Sequence, residues 1–142
     1  TVLTVSSTRM LNQSGFLARL FEVFARHRVS VDLLATAEVS VSLTLDAGVT
    51  LAPLLDELST FATVTVVEDR ALVAVVGERV KATPGLAGIL FGALGDLNVE
   101  MISMGANEIN LSLVVAAADA PRALIRLHAV LLQDPLLARS AS

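Results

Sequence analysis

Cysteine, tryptophan and tyrosine are absent from the 142 residues, and there are only five phenylalanines and two histidines. Without cysteine there is no disulfide framework, no thiol nucleophile and no thiolate metal site, which fits a reducing compartment. Two lone histidines with no run of acids beside them do not make a zinc site. Long hydrophobic runs are missing as well. A membrane-spanning helix needs about 20 consecutive apolar residues, and stretches such as 71–76 stop well short of that. No charged, then apolar, then small-residue start marks a signal peptide. Positive charge is scarce: 10 Lys and Arg against 14 Asp and Glu leave a net charge of −4. A nucleic-acid partner demands the opposite balance. The first residue is Thr1, so an excised piece of a longer protein is expected.

What is present is apolar. Hydrophobic residues make up 54% of the chain and charged ones 17%, with a mean hydropathy of +0.73. The excess is mostly Val, Leu and Ala, which suits sheets and helices buried on more than one side. The length suits one ordinary domain or two small ones.

Comparing the chain with itself at a shift of 70 residues favours two. Residues 15–45 and 85–115 align without a gap. Gly15/Gly85, Leu20/Leu90, Phe21/Phe91, Val29/Val99, Glu38/Glu108, Ser42/Ser112 and Leu43/Leu113 are identical, and most other pairs keep apolar character. In this alignment the counterpart of Asp32 is Ile102 and that of Ser30 is Glu100. A duplication is expected, with copies at 1–70 and 71–142.

Each copy reads as strand, helix, two strands, helix. In the first, residues 2–5 form a short strand. Leu17, Leu20, Phe21 and Phe24 recur at helical spacing, with Ser14 or Asn12 as the cap. Residues 31–34 resume an extended run. Val39, Val41, Leu43 and Leu45 alternate with Ser40, Ser42 and Thr44, the pattern of a strand with one buried face. Leu51, Leu54, Leu55 and Leu58 mark a second helix, with Pro53 tolerated in its first turn, and Val64 and Val66 mark a closing strand. In the second copy, residues 71–76 are apolar throughout and read as a central strand. Thr83 and Pro84 open a helix whose stripe is Ile89, Leu90, Ala93 and Leu97. Residues 99–104 and 109–115 form paired strands, and Asp119 caps a last helix with a stripe of Leu124, Leu127 and Leu131.

The fold class is therefore α+β: two ferredoxin-like βαββαβ units, with antiparallel sheets and both helices on one face. The second unit is one strand short. That strand is expected ahead of Thr1 in a longer parent protein, or from a second chain.

Such a fold decides nothing about function by itself. Base-stacking readers of this shape carry aromatics on their strands; here every Phe falls on a helix or a connecting segment. There is no phosphate loop, no Ser-His-acid order and no paired-histidine metal motif, so no catalytic and no metal-binding residues are expected. His27, between Arg26 and Arg28 at a helix C-terminus, reads as solvated or dipole-stabilising. His128, on the apolar stripe of the last helix, reads as a partly buried core residue. The informative segments are 10–17 and 30–38. Gly15 allows close approach of a ligand to the free N–H groups at Gly15, Phe16 and Leu17, which favour a carboxylate. Asp32 interrupts an apolar strand, where an acid is costly unless it meets a cation or donors, although it could also point outward or pair with a nearby Arg. With Ile102 opposite it in the alignment, the first copy reads as a ligand site and the second as a structural partner. A helix end for a carboxylate and an acid for an ammonium match a free amino acid. Glu38 offers a second acid for a dibasic one.

The stretch STRMLNQSGFLARLFEVFARHRVSVDLLATAEVSVSLTLD resembles the first ACT domain in the regulatory region of lysine-sensitive aspartokinases. The stretches GLAGILFGALGDLNVEMISMGANEINLSLVV and ALIRLHAVLL resemble the second. The resemblance spans nearly the whole chain. It implies a regulatory piece without catalysis of its own, binding L-lysine for feedback inhibition of the first step of aspartate-family amino-acid synthesis. It implies pairing of first ACT domains in a homodimer, and a cytoplasmic parent with an aspartate kinase domain in cis. ATP and magnesium belong to that kinase domain, and no cofactor is expected here. Nucleic acid and membrane are not expected as partners. Carried over by position, the ligand shell includes Met10, Gln13, Gly15, Phe16, Leu17, Ser30, Val31, Asp32 and Glu38. The family pattern T-S-E stands here as Thr36-Ala37-Glu38, so a hydroxyl is lost at position 37. The family also draws one strand of its second ACT domain from ahead of the first, in keeping with the missing strand. The alternatives are an assembly module that binds no ligand, or a site for another amino acid such as threonine.

Overall fold

The structure, a computed structural model, describes residues 1–8, 14–106 and 108–133. The chain divides into two compact units between Glu68 and Asp69. The first contains β1 (Val2–Ser6), α1 (Phe16–Arg26), β2 (Leu34–Thr36), β3 (Ser40–Thr44), α2 (Ala52–Leu58) and β4 (Thr63–Val67). The second contains β5 (Arg70–Val76), α3 (Leu86–Leu94), β6 (Met101–Met104), β7 (Asn110–Ala116) and α4 (Ala120–Gln133). No helix among the described residues is long and apolar enough to cross a membrane.

In the first unit the strands run antiparallel in the order β2-β3-β1-β4. Alternation fixes the register. Leu3 faces Leu43 and Val66, and Val5 faces Val41 and Val64. These residues share one side of the sheet with Leu20, Val23 and Phe24 of α1 and Leu54 and Leu58 of α2. A one-residue slip would turn this whole set to solvent. The opposite side carries hydroxyls, among them Thr4 and Ser42, whose oxygens lie 2.9 Å apart. The expected helix stripe turns slightly: Val23 is buried, while Leu17 and Phe21 stand 39% and 36% exposed. The helices therefore cover one face, as the α+β reading requires.

The second unit repeats this order without the fourth strand: β5-β7-β6 among the described residues. Its core joins Val73, Val75, Leu111 and Leu113 to Leu86, Leu90 and Leu94 of α3 and to Ala123 and Leu127 of α4. Several expectations are corrected here. Among the described residues, 71–76 form an edge strand, not a central one; β7, buried along most of its length, is central. An apolar run without alternation does not reveal which strand is inside. The α3 stripe is Leu86, Leu90 and Leu94, because the helix starts at Leu86, with Gly85 as N-cap at φ 78°. Thr83 instead donates its hydroxyl to the Arg79 carbonyl. On α4, Leu124 and His128 face solvent and Ala123 takes the buried place. The Asp119 carboxylate accepts from Arg122 at 3.2 Å.

Ion pairs join helices within each unit. Arg26 and His27, at the end of α1, both reach Glu57 of α2, with His27 Nε2 at 2.7 Å. Arg26 first, then His27, holds the Glu57 carboxyl below its usual range. In the second unit Arg126 of α4 donates to the Leu94 carbonyl (2.5 Å), at the end of α3, and to Asp96 (2.7 Å). Arg122 reaches Asp96 at 2.9 Å. A side chain at Gly95 would crowd Arg126 at 3.3 Å, and φ there is 61°.

Two outcomes follow. Gly77 N–H bonds Ile109 and Ala117 N–H bonds the Asp69 carbonyl, so odd-numbered residues of β5 turn their backbone toward β7. Leu72, Ala74 and Val76 turn theirs to the open edge. Their amides should exchange with deuterium well ahead of those of Val73 and Val75; equal protection of both sets would mean the edge is covered. The second outcome concerns Asp96. Arg126, then Arg122, holds its carboxyl at about 2 against an ordinary 3.8. A depressed carboxyl stabilises the fold above its unfolded value and loses that contribution as pH falls through the folded value. Asp96→Asn should therefore melt below the wild type at pH 6, with the two melting temperatures converging between pH 4 and pH 2.

Candidate functional site

Gly15 is the N-cap of α1, left-handed at φ 93°, and no side chain caps the helix. The first helical hydrogen bond runs from Arg19 N–H to the Gly15 carbonyl. The amides of Phe16 and Leu17 precede it and point out of the helix start. Phe16 meets Phe61 edge-on, with centroids 6.0 Å apart, and the Arg19 guanidinium lies 4.0 Å above the Phe61 ring. Phe61 leads into β4, whose Thr63 pairs with Ser6, so α1 begins at the Ser6 end of the sheet. Glu38 lies at that end too, exposed in the β2–β3 turn, where Ser7 N–H bonds the Val39 carbonyl at 2.9 Å.

Ser30, Val31 and Asp32 lie at the other end. Asp32 donates its backbone N–H to the Thr44 carbonyl at 3.1 Å, and Thr44 pairs with Val2. Four residue steps of β1 separate the two ends, about 13 Å at ~3.3 Å per residue. The chain therefore does not gather the expected ligand shell in one place. Gly15, Phe16, Leu17 and Glu38 stand at one end of the first unit, and Ser30, Val31 and Asp32 at the other. Met10 and Gln13, and Asn12 as an alternative cap, lie outside the described residues.

Asp32 itself differs from expectation. It sits on an exposed bend two residues before β2, not inside a buried strand. Its carboxylate has no partner among the described residues. It therefore carries no burial cost, and its place is decided by backbone register instead.

Register also changes its counterpart. β1 and β3 superpose on β5 and β7 at the 70-residue shift: Leu3 faces Leu43, and Val73 faces Leu113. β2 and β6 do not. Leu34 faces Leu43, but Ile102 faces Leu113, a shift of 68. α1 has 11 residues and α3 has nine, stopped at Gly95. The two extra residues in α1 are recovered in the turn between β2 and β3, which is two residues shorter than that between β6 and β7. The gapless alignment thus fails at the helix end. Glu100, not Ile102, stands where Asp32 stands: its N–H bonds the Val114 carbonyl at 2.8 Å, as Asp32 bonds Thr44. Both units keep an acid there. In the second, Arg70 Nε donates to Glu100 Oε2 at 2.7 Å. This contact, ahead of the field of Asp69, raises the Arg70 pKa above its usual value.

Sequence reasoning missed this pair and the Arg26–His27–Glu57 cluster, because their partners are about 30 residues apart and no local spacing announces them. No group of His, Asp and Glu among the described residues could hold a metal ion.

Known proteins match this arrangement. The ACT domain family matches residues 73–131. The lysine-sensitive aspartokinase 3 of Escherichia coli (strain K12) is 43% identical over 141 residues, covering 94% of this chain. The chain spans 31% of that relative's length. A crystal structure of E. coli aspartokinase III with lysine and aspartate, in its T-state, superposes with a TM-score of 0.80 at 43% identity, over 90% of this chain and 30% of that one. A domain from Porphyromonas gingivalis W83, assigned as a C-terminal regulatory domain of aspartate kinase, gives 0.81 at 36% identity. There the match covers 93% of this chain and 91% of the other.

Proposed function

The chain belongs to the ACT-domain regulatory regions of aspartokinases, and from that premise we propose that it senses a free amino acid, L-lysine, between two copies of its first unit. The observation that carries this reading is the separation of the two half-sites. The α1 start and Glu38 lie at one end of the sheet and Asp32 at the other. One small ligand cannot touch both within a chain. β2 is the outer strand of the first sheet among the described residues. A second copy placed against β2 about a two-fold axis runs its own β2 antiparallel to the first. That puts the Asp32 end of one copy beside the α1 start of the other, twice, as an isologous interface requires. The helix N-terminus then takes the carboxylate, Asp32 of the other copy takes an ammonium, and Glu38 is available for the second ammonium of a dibasic ligand.

Lysine is favoured by these two acids and by the name and the bound ligand of the E. coli relative. Without the hydroxyl at Ala37 the site is expected to bind more weakly than one that has it. A ligand shared by two chains stabilises their paired arrangement over any other. In a parent protein carrying an aspartate kinase domain, with ATP and magnesium there, that shift lowers catalysis and gives feedback on amino-acid synthesis. The reading places the parent in the cytoplasm.

A second reading is an assembly module without a ligand. It draws on the open edge of β5 and on α4, where Leu124, Ile125 and Leu132 are 54%, 71% and 65% exposed.

Thermal melts with L-lysine, threonine, methionine and leucine separate the two. At about 100 times its dissociation constant, a ligand stabilises the fold by about 2.7 kcal/mol. Lysine should raise the melting temperature, and dimerisation followed by light scattering should strengthen with it. A dimer indifferent to all four amino acids supports the assembly reading and removes the ligand one. Asp32→Asn should weaken lysine binding at least tenfold, from about 1.5–3 kcal/mol for a hydrogen bond to a charged group. Unchanged affinity would place the ammonium elsewhere.

A further inference from the structure

Glu100 occupies in the second unit the position of Asp32 in the first, fixed by the same backbone hydrogen bond to the neighbouring strand. Asp32 is exposed and has no partner among the described residues; Glu100 is bound by Arg70 at 2.7 Å. The two side chains of that pair are 24% and 27% exposed. Arg70 opens β5, and its backbone pairs with Ala116 of β7, two residues from Val114, whose carbonyl accepts the Glu100 N–H. The guanidinium is thus delivered by the edge strand to the acid on the far side of β7. It is a cation of this chain placed where the first unit offers its acid to solvent.

We infer that Glu100 is a second ammonium-recognition position of the same design, closed by Arg70, and that Arg70 restricts the chain to one ligand-accepting unit. The inference rests on the reading of Asp32 as an ammonium acceptor. The ligand class is the same, a free amino acid bearing a primary ammonium. A fixed guanidinium excludes it in two ways: it neutralises the carboxylate, and it fills the space next to it. A carboxylate left beside an open edge attracts such a cation, and the exchange needs no rearrangement of the core, because neither side chain belongs to it.

Isothermal titration with L-lysine on the wild type, Arg70→Met and Arg70→Met/Glu100→Gln tests this, with a melt of each variant as the check of folding. Arg70→Met should take up one more lysine per chain than the wild type, and the double variant should return to the wild-type number. A folded Arg70→Met with wild-type stoichiometry overturns the inference. If Arg70→Met does not fold, Arg70→Gln, which keeps the length and polarity of the side chain, is titrated in its place. Asp32→Asn keeps the two readings apart. If the wild type binds no lysine, the Asp32 reading fails, and the inference that rests on it falls with it. If Asp32→Asn abolishes wild-type binding and Arg70→Met adds nothing, the Asp32 reading stands and this inference fails.

Discussion

Two small sheets, each with one apolar face, must each be covered by their own pair of helices. A sheet with one apolar face must bury that face against another element. Everything else in the chain follows from that demand. Burial of Leu3, Val5, Val41 and Leu43 under α1 and α2, and of Val73, Val75, Leu111 and Leu113 under α3 and α4, locks the central strand pairs. Locked pairs set where each flanking strand can dock. They therefore set where Asp32 and Glu100 stand, although neither residue is in a core.

Much of this was legible in the sequence because burial writes itself as periodicity. The Val-Ser-Val-Ser alternation of β3 placed one face inside, and Leu54 and Leu58 gave the inner side of α2. The shortfall in the second unit follows from counting such segments. What stayed hidden belongs to terms that periodicity does not carry. An acid flanked by Val31 and Leu33 reads as buried, yet a bend before β2 turns Asp32 outward while Leu33 goes in and bonds its N–H to the Thr44 hydroxyl. The uniform apolar run of β5 reads as central, yet among the described residues it lies at an edge. Leu124 and His128 are apolar-spaced with Leu127 and Leu131, but α4 is amphipathic on two sides and only packing selects between them.

The repeat shows the same limit more sharply. Its identities are real at Gly15/Gly85 and Leu20/Leu90, where the helix starts and the core coincide. Past the helix ends, sequence identity and structural position part. Val29 and Val99 are both valines, but the buried residue that follows α3 as Val29 follows α1 is Leu97. Gly95 stops α3 early, and the turn between β6 and β7 restores the count. A pair of compensating two-residue changes is invisible to an alignment that rewards continuity, because each copy remains apolar in the right phase: two residues is one full period of a strand. The acid that the alignment deletes from the second unit is therefore retained.

That retention alters the argument for a ligand. An acid present in one copy and lost in the other distinguishes a site from a scaffold by composition alone. An acid present in both distinguishes them by what faces it. In the second unit the chain supplies its own cation and the electrostatic demand is met within the fold. In the first, the demand is left open at one end of the sheet, and the complementary helix start lies at the other end. If these are two halves of one recognition site, then, about 13 Å apart at the ~3.3 Å rise of a strand, they meet one small molecule only when a second chain supplies the missing half. Binding and association then share one free energy, and each must strengthen the other by the same factor. On this reading, sensing is a property of the pair of chains, and the pairing itself is the signal passed to the rest of the parent protein.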